Sequence, residues 1–231
     1  MKERTTLVLL RHGSSVANEG DHFGGWADVP LSPLGIEQAR QAGRSLREMQ
    51  FSFDLAICSR LQRSTLTLEY CLEELDASLT TKKNDWRLNE RHYGALQGML
   101  KSVAQARFGD DQVWRWRRSF HERPPLLRAG EVGDSFCDAR YSDLTRSQVP
   151  LGESLKDTAA RVSDCWIDVI EPELRDGKCV LVVGHGNSLR TLIMMLEQVH
   201  EDELSTIKVP NGVPIVYNYC PVTRQSFRRR R

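Results

Sequence analysis

Two short segments, Arg11-His12-Gly13 and Gly184-His185-Gly186, each place a histidine directly after an apolar, β-rich run. A neutral imidazole can attack phosphorus and form a phosphohistidine, and arginines must then surround it because the phosphoryl group stays negative throughout its transfer. Arg11 beside His12, and Arg63 at another strand-to-helix handover, meet that need. Gly13 allows close backbone approach to a phosphate, and adjacent cations favour the neutral imidazole by lowering its pKa from an ordinary value of about 6.5. The second ring nitrogen of His12 is expected to rest on a backbone carbonyl, which fixes the tautomer. An acid/base is also required for the oxygen that leaves or attacks. Glu90, in Leu88-Asn89-Glu90-Arg91-His92-Tyr93-Gly94, is the best carboxylate for it, with Arg91 beside it to bind the substrate's own charge. No Asp cluster suggests a metal site, so arginines are expected to take the place of Mg²⁺.

These residues act together only if the fold gathers them. Thr5 to Leu10 reads as a buried parallel strand whose carboxyl end carries His12. Ser32-Pro33 then opens an amphipathic helix with Leu34, Ala39, Ala42, Leu46 and Met49 near helical spacing. Phe53 to Cys58 is a second strand, and Ser59 to Arg63 leads into a helix through about Leu75. Ser154 with Asp157 makes a capping box for a helix running toward Glu171, broken by Pro172 and closed by Gly177. Lys178 to Val183 is the last strand, ending at His185, and Asn187 to Gln198 forms a helix with Leu189, Leu192, Ile193 and Leu196 on its apolar face. Strands alternating with helices predict an α/β fold, a mostly parallel sheet flanked by helices. In such sheets ligands bind outside the carboxyl ends of the strands, where helix N-termini offer free N–H groups to anions.

The chain of 231 residues is expected to form a single domain spanning 1–231, with 40% hydrophobic and 27% charged residues. Residues from about 109 to 150 break the strand–helix rhythm and read as an inserted lid over the carboxyl edge of the sheet; Trp114 and Trp116 there read as packing residues. Residues from about 221 to 231 read as a basic, solvated tail. Lys and Arg number 32 against 31 Asp and Glu, so no global field draws the protein to nucleic acid or membrane, and functional positive charge must be local. Six scattered cysteines without a CxxC pair read as reduced thiols, and the charged Met1-Lys2-Glu3-Arg4 start reads as no signal peptide; a cytoplasmic protein is expected.

Taken singly, each motif has a plainer reading: Arg11 or His12 as a surface ion pair or satisfied core group, Glu90-Arg91 as a helix-surface pair. Their co-occurrence is the signal. It resembles the cofactor-dependent phosphoglycerate mutases of the histidine phosphatase superfamily, over nearly the whole chain. The resemblance rests on Leu10 to Gly13, Gly25 to Ser32, the helix entry at Arg63, Arg87 to Gly98, Trp116 to Phe120, Glu153 to Thr158 and Gly184 to Arg190. It implies that His12 is the phosphorylated nucleophile, that Arg11, Arg63 and His185 hold the transferring group, and that Glu90 is proton donor and acceptor. It further implies that Ser15, Asn18, Gly25, Tyr93, Lys101, Arg117, Arg118, Gly186 and Asn187 bind phosphate or the glycerate carboxylate. The expected reaction interconverts 3-phosphoglycerate and 2-phosphoglycerate, primed by 2,3-bisphosphoglycerate, in a homodimer or homotetramer. Ser14, Ala17, Gly24, Leu100, Gly152 and Asn211 depart from the family pattern and thin the pocket wall. They keep two alternatives in view: a bisphosphoglycerate mutase or phosphatase for a small phosphoester, and a non-catalytic regulatory relative.

Overall fold

The structure is a computed structural model and describes residues 5–77 and 80–229. The charged start at residues 1–4 and the final Arg230-Arg231 of the basic tail lie outside the described residues. In chain order the elements are β1 (Thr5–Arg11), α1 (Val16–Glu19), α2 (Pro33–Glu48), β2 (Leu55–Cys58), α3 (Gln62–Glu74), β3 (Thr81–Asn84), α4 (Lys101–Phe108), α5 (Asp110–Arg118), α6 (Leu155–Cys165), α7 (Glu171–Arg175), β4 (Val180–Gly184), α8 (Gly186–Glu197), β5 (Pro214–Cys220) and β6 (Gln225–Arg228). They form the expected α/β fold. The six-stranded sheet has the order β3-β2-β4-β1-β5-β6, parallel from β3 to β1 and antiparallel where β5 and β6 are added.

Alternation along the strands sends neighbouring side chains to opposite faces. Leu7, Leu9, Leu55, Ile57, Val180 and Val182 pack on one side with Val162 and Cys165 of α6 and Leu189, Leu192 and Ile193 of α8. Val8, Leu10, Ala56, Cys58, Leu181 and Val183 pack on the other with Ala42 and Leu46 of α2 and Leu68, Cys71 and Leu72 of α3. Both faces are covered, so the parallel strands read as continuous apolar runs.

Several expectations are corrected. Leu34 and Met49 do not belong to the buried face of α2, since they are 56% and 49% exposed at its two ends. The helix from Leu155 is not broken at Pro172: the turn Trp166–Ile170 widens to π-helical bonding, and Pro172 then falls in the first turn of α7, where its missing N–H leaves no gap. Trp114 is exposed, whereas Trp116 packs edge-on to Phe108 at 5.2 Å between ring centroids. The strand ending at His185 is not the last in the chain. β5 and β6 follow it, and most of the basic tail is thereby ordered, with Arg229 N–H donating to the Val216 carbonyl. An edge strand that ends at Arg228 and is followed by Arg229 suits this position, because charge discourages further pairing. β3 is made of four exposed residues, Thr81-Lys82-Lys83-Asn84, and has no apolar alternation to read.

Two glycines tie β1 to α2 below the site. A Cβ on Gly13 would lie 2.0 Å from the Gly35 carbonyl oxygen, and one on Gly35 would lie 1.9 Å from the Ser14 carbonyl oxygen. Gly13→Ala is therefore expected to cost about 3 kcal/mol by overpacking against rigid backbone and to lower Tm by roughly 6–12 °C for a domain of this size. Thermal unfolding followed by circular dichroism measures it, and an unchanged Tm would remove the claim that the two backbones are in contact.

Candidate active site

The parallel pairing of β1 with β4 sets Arg11 opposite Gly184, so the residue after each strand is a histidine in the same place. The His12 and His185 ring centroids are 4.9 Å apart, and both rings are buried. His12 Nδ1 lies 2.6 Å from the Gly13 carbonyl oxygen, the kind of acceptor anticipated for it. With the proton held on Nδ1, the lone pair of Nε2 is free. The His12 backbone is fixed as well: its N–H donates to the Gly184 carbonyl, and its own carbonyl accepts from Asn211 Nδ2 at 2.8 Å. His185 Nε2 lies 2.7 Å from Ser59 Oγ, while its Nδ1 is buried without a partner among the described residues.

Burial first, then the charges of Arg63 and Arg11, hold the His12 pKa well below its ordinary value, against a smaller upward pull from the Gly13 bond. His185 is lowered in the same way, by burial, then Arg63 and His12. Arg63 enters from the first turn of α3 and donates to the Ala27 and Gly25 carbonyls at 2.8 and 2.7 Å; burial pushes its pKa down to about 10. Gly25 adopts a φ of +51°, and that turn aims its carbonyl at Arg63. Arg11 donates to the Val209 carbonyl at 2.9 Å, and its buried Nε has no partner among the described residues.

Glu90 faces these groups from the loop after β3. Its Oε1 accepts from the Asn187 backbone N–H at 3.2 Å, at the start of α8, and from the Arg91 N–H at 2.8 Å. The Glu90 carbonyl accepts from Trp26 Nε1 at 2.6 Å and from Arg161 Nη2 at 3.0 Å. Arg161 also donates to the Arg87 and Asn89 carbonyls and pairs with Glu153 at 2.6 Å, and Glu153 in turn accepts the His92 N–H. This buried ion pair is satisfied on nearly every side, which is the condition under which such pairs hold a shape.

His12, Arg11, Arg63, Glu90, Ser15, Asn18, Gly25, Tyr93, Lys101, Arg117, Arg118, Gly186 and Asn187 all line one cleft of about 200 Å³. Ser15 caps α1 in a reciprocal pair with Asn18, whose Oδ1 accepts from the Ser15 N–H and hydroxyl. Asn187 Nδ2 donates to the Tyr93 hydroxyl at 3.1 Å. Arg117 and Arg118, in the last turn of α5, form no ion pair among the described residues, whereas Lys101 is held by Asp21. His185 is not among the residues that line the cleft; it is fully buried beside the His12 ring. Arg91 has no surface in the cleft: its guanidinium is fully buried beneath the Tyr93 ring, 4.5 Å from the centroid, and its three nitrogens have no hydrogen-bond partner among the described residues. In this conformation it acts on the cleft through Tyr93, whose phenol pKa it lowers against the opposing effect of burial.

The residues not anticipated as functional are Ser59, Trp26, Glu153, Arg161 and Arg190. Ser59 stood in a polar strand-to-helix handover, which is a usable signal. Arg161 and Arg190 lie inside helices, where an arginine ordinarily reads as a solvated face. A larger groove of about 800 Å³, lined by Arg60, Arg87, Arg123, Arg146 and Arg161 among others, lies behind the Glu153–Arg161 pair. Each of those arginines already has a carboxylate. Among the described residues the smaller cleft is lined by six cationic side chains to one carboxylate, Glu90, and so is the one built for anions. Among the described residues no group of His, Cys, Asp or Glu converges as metal ligands would, and no helix is long and apolar enough to cross a membrane.

Fold and cleft together define an α/β protein with a buried site made for an anionic group. A family model, that of the histidine phosphatase superfamily (branch 1), matches residues 7–144 and 134–223. The chain belongs to this superfamily of enzymes. It is 47% identical over 213 residues to the 2,3-bisphosphoglycerate-dependent phosphoglycerate mutase 2 of Lactiplantibacillus plantarum, covering 92% of this chain and 93% of that protein. Among solved structures it resembles in fold an alpha-ribazole phosphatase from Shigella flexneri, with a TM-score of 0.74, 21% identity and coverage of 97% and 95% of the two chains. It likewise resembles Mycobacterial hydrolase 1, with a TM-score of 0.73, 24% identity and coverage of 97% and 96%.

The buried histidines make stability depend on pH. His12 and His185 are lowered well below their ordinary value, and burial together with Arg161 brings His92 to about 3. Below an unfolded-state pKa of about 6.5 the unfolded chain binds more protons than the folded one, so the contribution is full above that pH and lost as the pH falls. Each histidine adds about 1.4 kcal/mol per pH unit, so the three together approach ~4 kcal/mol per unit. Urea unfolding should give a level plateau from pH 8 to 7 and a steep decline from 6.5 to 5, with His92→Gln removing about a third of the slope. A flat profile would mean that these rings are not buried as neutral groups.

Proposed function

We propose that the protein is a phosphoglycerate mutase that interconverts 3-phosphoglycerate and 2-phosphoglycerate through a phosphohistidine on His12. The observation that carries this is the His12 imidazole, with Nδ1 on the Gly13 carbonyl and burial and arginines keeping it neutral, so that Nε2 can act as the nucleophile. The 47% identity to a phosphoglycerate mutase supports the same reading. In the forward half, Nε2 forms a bond to phosphorus as the ester P–O bond breaks, and Glu90 gives a proton to the leaving oxygen. In the return half, the free hydroxyl of a phosphoglycerate gives its proton to Glu90 and attacks the phosphohistidine, forming the bisphosphate and releasing Nε2. Arg11, Arg63 and His185 meet the charge on the transferring oxygens, and the unpartnered Arg11 Nε and His185 Nδ1 are donors left over for that task. Ser15, Asn18, Gly25, Tyr93, Lys101, Arg117, Arg118, Gly186 and Asn187 bind the phosphoryl group or the carboxylate, with Arg91 supporting Tyr93 from behind.

When bound, 2,3-bisphosphoglycerate supplies the phosphoryl group that charges the histidine. The excess of six cations over one carboxylate suits a ligand with several anionic groups. The reaction needs positioning and charge stabilisation, which arginines supply, so we assign no metal. The same reading makes the chain one cytoplasmic domain over 1–231, with residues 109–150 as the lid that brings Arg117 and Arg118 over the cleft. It acts on a small phosphorylated hydroxy acid, as a homodimer or homotetramer, with neither nucleic acid nor membrane as partner. One observation favours the phosphatase alternative: a Cβ on Gly24, which lines the cleft, would meet only the Ala17 Cβ at 3.7 Å, which leaves room for water.

³¹P NMR of the protein with 3-phosphoglycerate and a trace of 2,3-bisphosphoglycerate separates the readings. 2-Phosphoglycerate appearing ahead of inorganic phosphate is expected; inorganic phosphate dominating would make it a phosphatase on this scaffold, and neither product would end the glycerate assignment. His12→Asn should fold, take up no phosphate and lose at least about 10⁴-fold in rate, as removal of a nucleophile does. Activity should persist in excess EDTA, and a loss restored by Mn²⁺ would assign a metal-assisted reaction instead.

A further inference from the structure

Arg190 is the cleft cation with no assigned part in the chemistry. It sits one turn into α8, three residues after Asn187, and lines the cleft with Arg11 and Arg118. Its guanidinium is anchored at two points: Nη1 donates to Asn187 Oδ1 at 2.7 Å, and Nε donates to the Ile207 carbonyl at 3.1 Å. Nη2 makes no hydrogen bond among the described residues, and no carboxylate pairs with this arginine there. Burial and the charges of Arg118 and Arg11 all oppose its protonated state. A cation held rigidly beside other cations, with one donor nitrogen unspent, is arranged for an anion that arrives with the ligand.

The bond to Asn187 has a second effect. An amide can present either its oxygen or its nitrogen to a neighbour. Because Arg190 is a pure donor, it takes the Asn187 oxygen and turns Nδ2 toward the Tyr93 hydroxyl, so the amide shows a donor on the cleft side. Arg11, Arg63 and His185 suffice for one phosphoryl group at His12, and Lys101 is engaged by Asp21. Arg117, Arg118 and Arg190 are then the surplus.

We propose that Arg190 is a specificity-determining residue: it fixes the Asn187 amide and, with Arg118, takes the second anionic group of a ligand that already places a phosphoryl group at His12. The inference rests on the reading of this cleft as a phosphoester site and adds to it a residue, Arg190, that meets the carboxylate or second phosphate carried a short distance from the transferred group. It also separates the roles of two neighbouring residues, with Asn187 as the donor and Arg190 as both its keeper and a second contact.

Calorimetric titration with three stable ligands tests this without turnover: ethyl phosphate, 2-phosphoglycolate and ethane-1,2-diyl bisphosphate. Arg190→Gln is expected to weaken one or both of the last two by about 30-fold, within the range for a lost charge-assisted hydrogen bond, and ethyl phosphate by less than threefold. Loss confined to phosphoglycolate identifies the group as a carboxylate; loss confined to the bisphosphate identifies it as a phosphate. Equal weakening of all three ligands, or weakening of none, overturns the proposal. Arg190→Lys keeps charge but cannot grip Asn187 and contact a ligand together, so it should recover only part of the loss; it also serves where Arg190→Gln does not fold, with the same ranking of ligands required. In the Asn187→Ala background the effect of Arg190→Gln should shrink, because the amide it orients is gone, and full additivity would remove the positioning role. Failure of the wild type to act on 3-phosphoglycerate would sink the mutase reading while leaving this ligand ranking measurable.

Discussion

The register of β1 against β4 is the constraint on which the rest depends. Pairing Arg11 with Gly184 brings two residues, 173 positions apart in the sequence, to the same height at the carboxyl edge of the sheet. A slip of one residue would turn alternate apolar side chains to the wrong face and part the histidines at once. Leu7, Leu9, Val180 and Val182 on one face, and Val8, Leu10, Leu181 and Val183 on the other, therefore enforce the placement of the two histidines as firmly as any polar contact. Packing and chemistry share one set of hydrogen bonds.

Electrostatically the site is an unstable place made tolerable by its surroundings. Arg63, His12 and His185 are all buried, and among the described residues none of the three has a carboxylate in direct contact. Backbone carbonyls do the compensating: those of Gly25 and Ala27 hold Arg63, that of Val209 holds Arg11, and that of Gly13 holds His12. Carbonyl dipoles stabilise a guanidinium without cancelling its charge, so the attraction for an incoming anion survives. Carboxylate partners are spent elsewhere, on the arginines of the groove behind the site.

The parts legible in the sequence were those with period and punctuation. β1, β2 and β4 are short apolar runs that stop at polar residues, and α2, α6 and α8 carry caps or periodic faces, so the parallel core and the strand-end position of His12 and His185 could be read directly. β3 could not, because all four of its residues are exposed and it is a strand only by pairing with β2. Nor could the ordering of the tail, since Arg228 and Arg229 look solvated until β5 offers an unpaired edge. Proximity of Glu90 to His12 rested on resemblance, and what holds Glu90 in place was invisible: Arg161 is separated from it by 71 residues and is one among many helical arginines. Arg91 looked available for substrate, yet its neighbour Tyr93 covers it.

The grip of Arg161 is on main-chain oxygens, those of Arg87, Asn89 and Glu90. A clamp of that kind is indifferent to the side chains it passes. The loop can therefore exchange residues whose side chains do no other work, and keep the height and pitch of Glu90 while it does so. Inheritance of the site is divided: a few letters carry the chemistry, a distant ion pair carries the pose, and the stretch between them is left open to drift.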